Sequence, residues 1–178
     1  MKIVSWIDEK YINWEAVSES KCSEAIQLLR ENLDKVDWYR LSFNSFSEAI
    51  QLLRENLDKI NWDNVSRNSC REAIQLLREN PDKINLNRLS QNTCCEAIPL
   101  LRENPDKINW YYLSRYSCCE EAIQLLRENP DEIVWGVVNL SSFEALMLLF
   151  EHPEKIDKVN FYTLFQNHHI FDDGVVIK

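Results

Sequence analysis

The chain has 178 residues, 45% of them hydrophobic, with only two glycines and five prolines; this composition excludes general disorder and disfavours a turn-rich all-β domain. Its 20 Lys and Arg against 29 Asp and Glu give a net charge of -9, which opposes binding to a phosphate backbone unless basic side chains are concentrated locally.

The opening stretch, MKIVSWIDEKYINW, carries charges and Trp where a signal peptide needs an unbroken apolar run. No segment approaches the roughly 18 consecutive apolar residues of a membrane span. An intracellular protein, not secreted and not in a membrane, is expected. Residues 1–20 read as an N-terminal half-repeat or cap.

From residue 21 self-similarity dominates. EAIQLLREN occurs at 24–32, 48–56, 72–80 and 121–129, and EAIPLLREN at 96–104, with successive offsets of 24, 24, 24 and 25. A second block of the form DKINW places Trp14, Trp38, Trp62, Trp110 and Trp135 in one column, with Leu86 filling its gap. Each unit offers Ser or Thr three residues before Glu (Ser45 and Glu48, Ser69 and Glu72, Thr93 and Glu96, Ser117 and Glu120, Ser141 and Glu144), the spacing of a capping box. Apolar residues such as Ala73, Ile74, Leu76 and Leu77 then make one helical face.

That helix, about ten residues long, should end at Asn32, Asn56, Asn80, Asn104 and Asn129, each followed by Leu or Pro, because proline cannot continue a helix and restricts the residue before it. A tight connection and a short α or 3₁₀ turn starting near Asn61 or Asn109 should follow. One unit exposes apolar residues that it cannot cover itself, so neighbours must stack. The expectation is an all-α fold, a right-handed-type α-solenoid of about six 24-residue repeats, each one helix plus a short α or 3₁₀ helix. It forms a single repeat domain over 1–178, with regular repeats at 21–144 and a degenerate repeat and C-terminal cap at 145–178.

Two irregularities stand out. Pro99 replaces the Gln column inside a helix, where an interior proline costs about 3 kcal/mol, although its place near the helix start softens this. An extra acidic residue in CCEEAI at 118–123 shifts the register by one, and a deletion after Trp135, near Gly136, restores it by Ser141. These read as tolerated defects, or as a change of curvature near 118–140.

The NPDKINWxxLS and EAIxLLxEN signatures resemble short repeats in proteins of unknown role encoded by giant double-stranded DNA viruses of amoebae. The resemblance covers roughly residues 11–165 and implies a viral protein of host cytoplasm, nucleus or virion, without implying an activity. The repeat length and make-up are also similar to leucine-rich repeat variant solenoids, which bears on fold alone.

No Ser, His and Asp grouping, phosphate-binding glycine loop or paired carboxylate stands out, so no enzyme is expected and no cofactor is implied. Cys22, Cys70, Cys94 and Cys118 form a column at the helix start, with Cys95 and Cys119 in the next. Stacked helices lie about 8–10 Å apart, too far for a disulfide, so these read as reduced packing residues rather than redox or metal groups. His168, His169, Asp172 and Asp173 offer metal-ligand chemistry at no recognised spacing and read as a polar cap.

The positions the repeat leaves variable are Tyr39, Arg40 and Phe43; Asp63, Asn64 and Arg67; Asn87, Arg88 and Gln91; Tyr111, Tyr112 and Arg115. Four Arg and four aromatics among them predict an edge stripe of the residue types that dominate binding hot spots. Tyr39, Arg40, Arg67, Arg88, Tyr111, Tyr112, Arg115 and Tyr116 are the candidate partner-binding residues, with the last four as the richest patch. The alternative is that each Arg pairs with an acid of the adjacent unit while the Tyr rings pad the core. The expected partner is a protein, with self-assembly as the rival role and nucleic acid disfavoured by charge.

Overall fold

The computed structural model describes residues 9–165, and every regular element among them is helical. Residue contacts gather the chain into two units, one ending at Arg88 and one starting at Leu89.

In the first unit, short helices α1 (Trp14–Glu19), α3 (Trp38–Phe43) and α5 (Trp62–Arg67) alternate with the longer α2 (Ser23–Glu31), α4 (Ser47–Arg54) and α6 (Arg71–Glu79). Short helix packs on short helix, α1 on α3 and α3 on α5, and long on long, α2 on α4 and α4 on α6. Helix α7 (Leu86–Leu89) begins at the end of this unit. The second unit contains α8 (Ile98–Arg102), α9 (Trp110–Tyr116), α10 (Glu120–Glu128), α11 (Phe143–Glu151) and α12 (Phe161–Phe165), with α10 packed against both α8 and α11. This is the all-α solenoid of stacked repeats that the sequence predicts.

The apolar face of each long helix is the core: Leu29, Ala49, Leu53, Ala73 and Leu77 in the first unit and Leu101, Leu126 and Leu148 in the second are almost fully buried. Burial of this kind contributes about 1.5–3 kcal/mol per large aliphatic side chain. Each repeat also carries a third element. The NPDK segment, expected as a plain connection, is a 3₁₀ turn at Leu33–Lys35, Leu57–Lys59, Pro81–Lys83, Pro105–Lys107 and Pro130–Glu132. Proline at its first position fits, because that residue's N–H has no helical partner to lose.

The capping boxes are not what starts the long helices. The N-cap residues are Cys22, Phe46, Cys70, Cys119 and Ser142; Phe46, Cys70 and Ser142 lie one position later than the expected boxes at Ser45, Ser69 and Ser141, and Cys119 lies two positions later than the one at Ser117. Instead an asparagine two residues before the cap holds the entry: Asn44 Oδ1 accepts from Phe46 N at 3.0 Å, and Asn68 Oδ1 from Cys70 N at 3.1 Å. The short helices are capped as expected, with Asn13, Asp37, Asn61 and Asn109 accepting from the backbone three residues on.

Pro99 does not kink a long helix. The segment instead splits into a 3₁₀ turn at Cys95–Ala97 and the five-residue α8, which places Pro99 in a first turn where its missing N–H costs little. The extra residue at 118–123 also changes the cysteine alignment, since Cys119, rather than Cys118, takes the helix-start column of Cys22 and Cys70. Downstream, the short helix collapses to a 3₁₀ turn at Trp135–Val137, where Val134 replaces the usual capping Asn and supplies no side-chain cap.

Two buried polar ladders stitch neighbouring repeats together. Ser42 Oγ donates to Trp38 O at 2.6 Å and accepts from Asn61 N at 3.0 Å, one repeat on. Ser18 and Ser66 repeat this arrangement in the first unit, and Ser90 and Ser114 accept the equivalent N–H groups of Asn109 and Val134 in the second. Asn68 Nδ2 bridges back to Ser42 O and Asn44 O, while Asn44 Nδ2 bridges to Ser18 O and Ser20 O. Exposed ion pairs add an outer seam: Arg30 to Glu55 and Arg54 to Glu79 in the first unit, Arg102 to Glu128 and Arg127 to Glu151 in the second.

Candidate functional site

In the first unit, the variable positions of two consecutive repeats meet in one open groove of about 450 Å³, lined by Tyr39, Arg40, Phe43, Asn64 and Arg67 together with Glu19 and Lys21. Short helices α3 and α5 project these residues because their buried face is already taken by Leu41, Ser42, Val65 and Ser66. Tyr39 and Phe43 are 65% and 51% exposed, far more than packing residues would be. The Arg67 guanidinium lies 5.6 Å from the Phe43 ring centroid, a cation–π arrangement across the groove floor.

Arg40 behaves as the packing alternative requires. It pairs with Glu15 and Glu19 of the preceding repeat and with its own cap Asp37. The Glu19 hydrogen bond, with the Glu15 and Asp37 charges, raises the guanidinium pKa further above its ordinary value. Arg88 similarly lies 3.9 Å from Asp63. Gln91 departs from the stripe, since its Nε2 is buried without a hydrogen-bond partner.

In the second unit, α9 carries the aromatic patch. Tyr111 and Tyr112 stand edge to face with centroids 5.5 Å apart, Tyr112 and Tyr116 are 6.3 Å apart, and Arg115 sits 5.8 Å from the Tyr116 centroid. Hydrogen bonds from Arg115 to Tyr111 and Tyr116 raise its pKa. Tyr111 is 44% exposed, whereas Leu113 and Ser114 on the opposite face are buried. Arg115 also borders a depression of about 310 Å³ lined by Gly136, Val137, Val138, Asn139, Asn160 and Thr163.

All six cysteines are free thiols. Burial pushes the Cys70 thiol up, and its Sγ accepts from Ala73 N at 3.3 Å as a helix cap. Cys95 and Cys119, from adjacent repeats, converge with Glu121 so that their ligand atoms lie within 4.8 Å of one another. The hydrogen bond to Cys119, with burial, pushes the Cys95 thiol up to about 12. Burial raises Cys119 as well, while Glu121 is held below its ordinary value by its own backbone N–H and by the two thiols. His168, His169, Asp172 and Asp173 lie outside the described residues.

The sequence reading missed the Ser and Asn ladders, although Ser18, Ser42, Ser66, Ser90 and Ser114 recur one per repeat and Asn44, Asn68 and Asn92 at a spacing of 24. Recurrent polar residues inside an otherwise apolar pattern were the available signal. It also missed the thiol and carboxylate convergence: Cys95 and Cys119 were grouped in one column but set at the helix-stacking distance of about 8–10 Å, and Glu121 was not brought to them.

These features define an α-helical repeat protein with open, side-chain-rich surfaces. A sequence family described as anaphase-promoting complex subunit 5 matches residues 35–65, 60–96 and 111–147. The matches together span more than half of the chain, which therefore belongs to that family. No curated protein and no solved structure matches it. Among the described residues no helix is long and apolar enough to cross a membrane.

Proposed function

We propose that the chain is a non-enzymatic scaffold that binds a protein partner, with Tyr111, Tyr112, Arg115 and Tyr116 as the anchor and the groove of Tyr39, Phe43 and Arg67 as a second contact. The observation that carries this reading is the α9 patch: three tyrosines and an arginine packed on one another at the surface. Tyr rings and an Arg guanidinium already held by their neighbours lose little entropy on binding, and Tyr and Arg are the residue types enriched in hot spots. Arg40 and Arg88, already opposite acids, hold the surface together rather than reach a partner. An acidic or extended segment of a host or viral protein fits a patch whose only charge is Arg115.

The family's name is that of a subunit of a multiprotein complex, which favours a role in assembly over catalysis. A second reading, self-assembly, draws on the exposed rings of Phe150, Phe161, Tyr162 and Phe165 toward the end of the described chain.

The test is affinity capture from lysate with the wild type and with a variant carrying Ala at Tyr111, Tyr112, Arg115 and Tyr116, alongside circular dichroism and light scattering. A partner lost by the variant with its helicity unchanged is the expected result. Equal capture by both sinks the anchor, and concentration-dependent assembly with no captured partner favours self-association.

A further inference from the structure

In the first unit the start of α2 meets the start of α4 in an ordinary polar contact: Ser23 Oγ, at the first position of α2, donates to Glu48 of α4 at 2.8 Å. The residue preceding Ser47 at the α4 cap is Phe46, so nothing else joins that contact. In the second unit the same three positions are Cys95, Glu121 and Cys119. A serine to carboxylate contact has become two thiols and a carboxylate, all within 4.8 Å of one another.

We propose that Cys95, Cys119 and Glu121 form a binding site for a thiophilic divalent cation, zinc above all, held by two thiolates, one carboxylate oxygen and solvent. Zn–S and Zn–O bonds of about 2.3 and 2.1 Å place the ligand atoms of a tetrahedral site roughly 3.5–3.8 Å apart. The observed spread therefore needs only a small inward turn of side chains whose backbones belong to two packed elements. Soft thiolate donors select zinc over magnesium or calcium. Cys118 is not one of the converging ligands, and its Sγ lies 3.5 Å from Thr93 O. Cys70 has Ser47 rather than a thiol at the position equivalent to Cys95, and Cys22 lies two repeats from Cys70 with Phe46 at the cap between them, so neither completes such a set.

Access and charge both suit the ion. Glu121 borders an open depression of about 480 Å³ with Pro99, Arg102, Glu120 and Gln124. Binding releases the two thiol protons to solvent and leaves two thiolates and one carboxylate around the dication. Affinity must therefore fall as pH falls. Because the ligands come from successive repeats, the ion ties the 3₁₀ turn at Cys95–Ala97 to α10 at the place where Pro99 has shortened the helical connection.

The test uses the full chain, reduced and stripped of metal, titrated with Co²⁺ as a spectroscopic probe and then with Zn²⁺ in competition. One cobalt per chain is expected, with a thiolate charge-transfer band that zinc abolishes. Cys95→Ser and Cys119→Ser should each lose more than about 100-fold in affinity, beyond the range for groups that merely support a ligand, and Glu121→Gln about 10-fold. The double variant Cys22→Ser with Cys70→Ser should bind as the wild type. X-ray absorption at the zinc edge of the unaltered chain, which no folding defect can confound, should show two sulfur neighbours. Absence of the thiolate band, its survival in both single cysteine variants, or a sulfur count other than two overturns the proposal.

Discussion

The repeats around α4 and α6 and those around α9 and α10 solve the same stacking problem with different completeness. In the first pair both polar ladders are intact, with Ser42 and Ser66 joining successive short helices and Asn44 and Asn68 bridging back to the preceding repeat. In the second pair the serine ladder survives but Ser117 stands where the asparagine would be, and its Oγ reaches only Ser114 O at 3.3 Å within its own repeat. The serine bond spans 19 residues at Asn61 and Asn85 but 20 at Val134, so the chain absorbs the extra residue between two fixed points. The serine contact sets the repeat, and the asparagine reinforces it.

Replacing asparagine tests this difference most strongly. Asn68 is 2% exposed and joins two carbonyls of the preceding repeat to the N-cap of its own long helix. Asn68→Ala should destabilise by about 3 kcal/mol in chemical denaturation, because it strands buried backbone groups, whereas Ser117→Ala should cost about 1 kcal/mol. Equal losses would show that the second unit has a compensating bridge.

The serines should not discriminate between the units. Ser66→Ala leaves the Asn85 N–H without its acceptor and Ser114→Ala does the same to Val134, so each should cost about 2 kcal/mol. A clearly smaller loss for Ser114→Ala would mean that the 3₁₀ turn at Trp135–Val137, rather than the serine, positions the irregular repeat. Trp135 itself does not settle onto a polar partner there, since its buried Nε1 has none.

Pro99→Gln is expected to change stability by less than about 1 kcal/mol, with a modest gain in helicity, because Pro99 already sits in the first turn of α8. A gain near 3 kcal/mol would place it energetically in a helix interior.

Most of the fold was legible because its signals are local and repeated: the Ala73, Ile74, Leu76 and Leu77 face, the Asn61 and Asn109 caps, and a period near 24. The long-helix caps were misread because Ser45 and Ser69 have the right spacing to Glu48 and Glu72, while the actual choice depends on Asn44 and Asn68 being pinned by the previous repeat. That is tertiary information. The variable positions were legible as a set, yet their roles were not. Arg40 and Arg67 stand two and five residues after the Trp of their repeats, in different columns, and one finds Glu15 and Glu19 while the other finds Phe43.

The outer ion pairs should show the smallest effect and the most specific pH signature. Arg30 beside Glu55 and Arg102 beside Glu128 hold those carboxyls below their ordinary value of 4.5. A carboxyl whose folded pKa is depressed binds fewer protons folded than unfolded, so its contribution is present above the ordinary pKa and lost as pH falls through the depressed one. Both pairs are solvent-screened, which keeps that contribution small. Arg30→Gln and Arg102→Gln should each lower stability slightly near neutral pH, with the deficit vanishing below the carboxylate range. A deficit that persists in acid would show that the arginine stems act by packing over the neighbouring repeat, and a larger deficit for one variant would reveal which unit leans more on its outer seam.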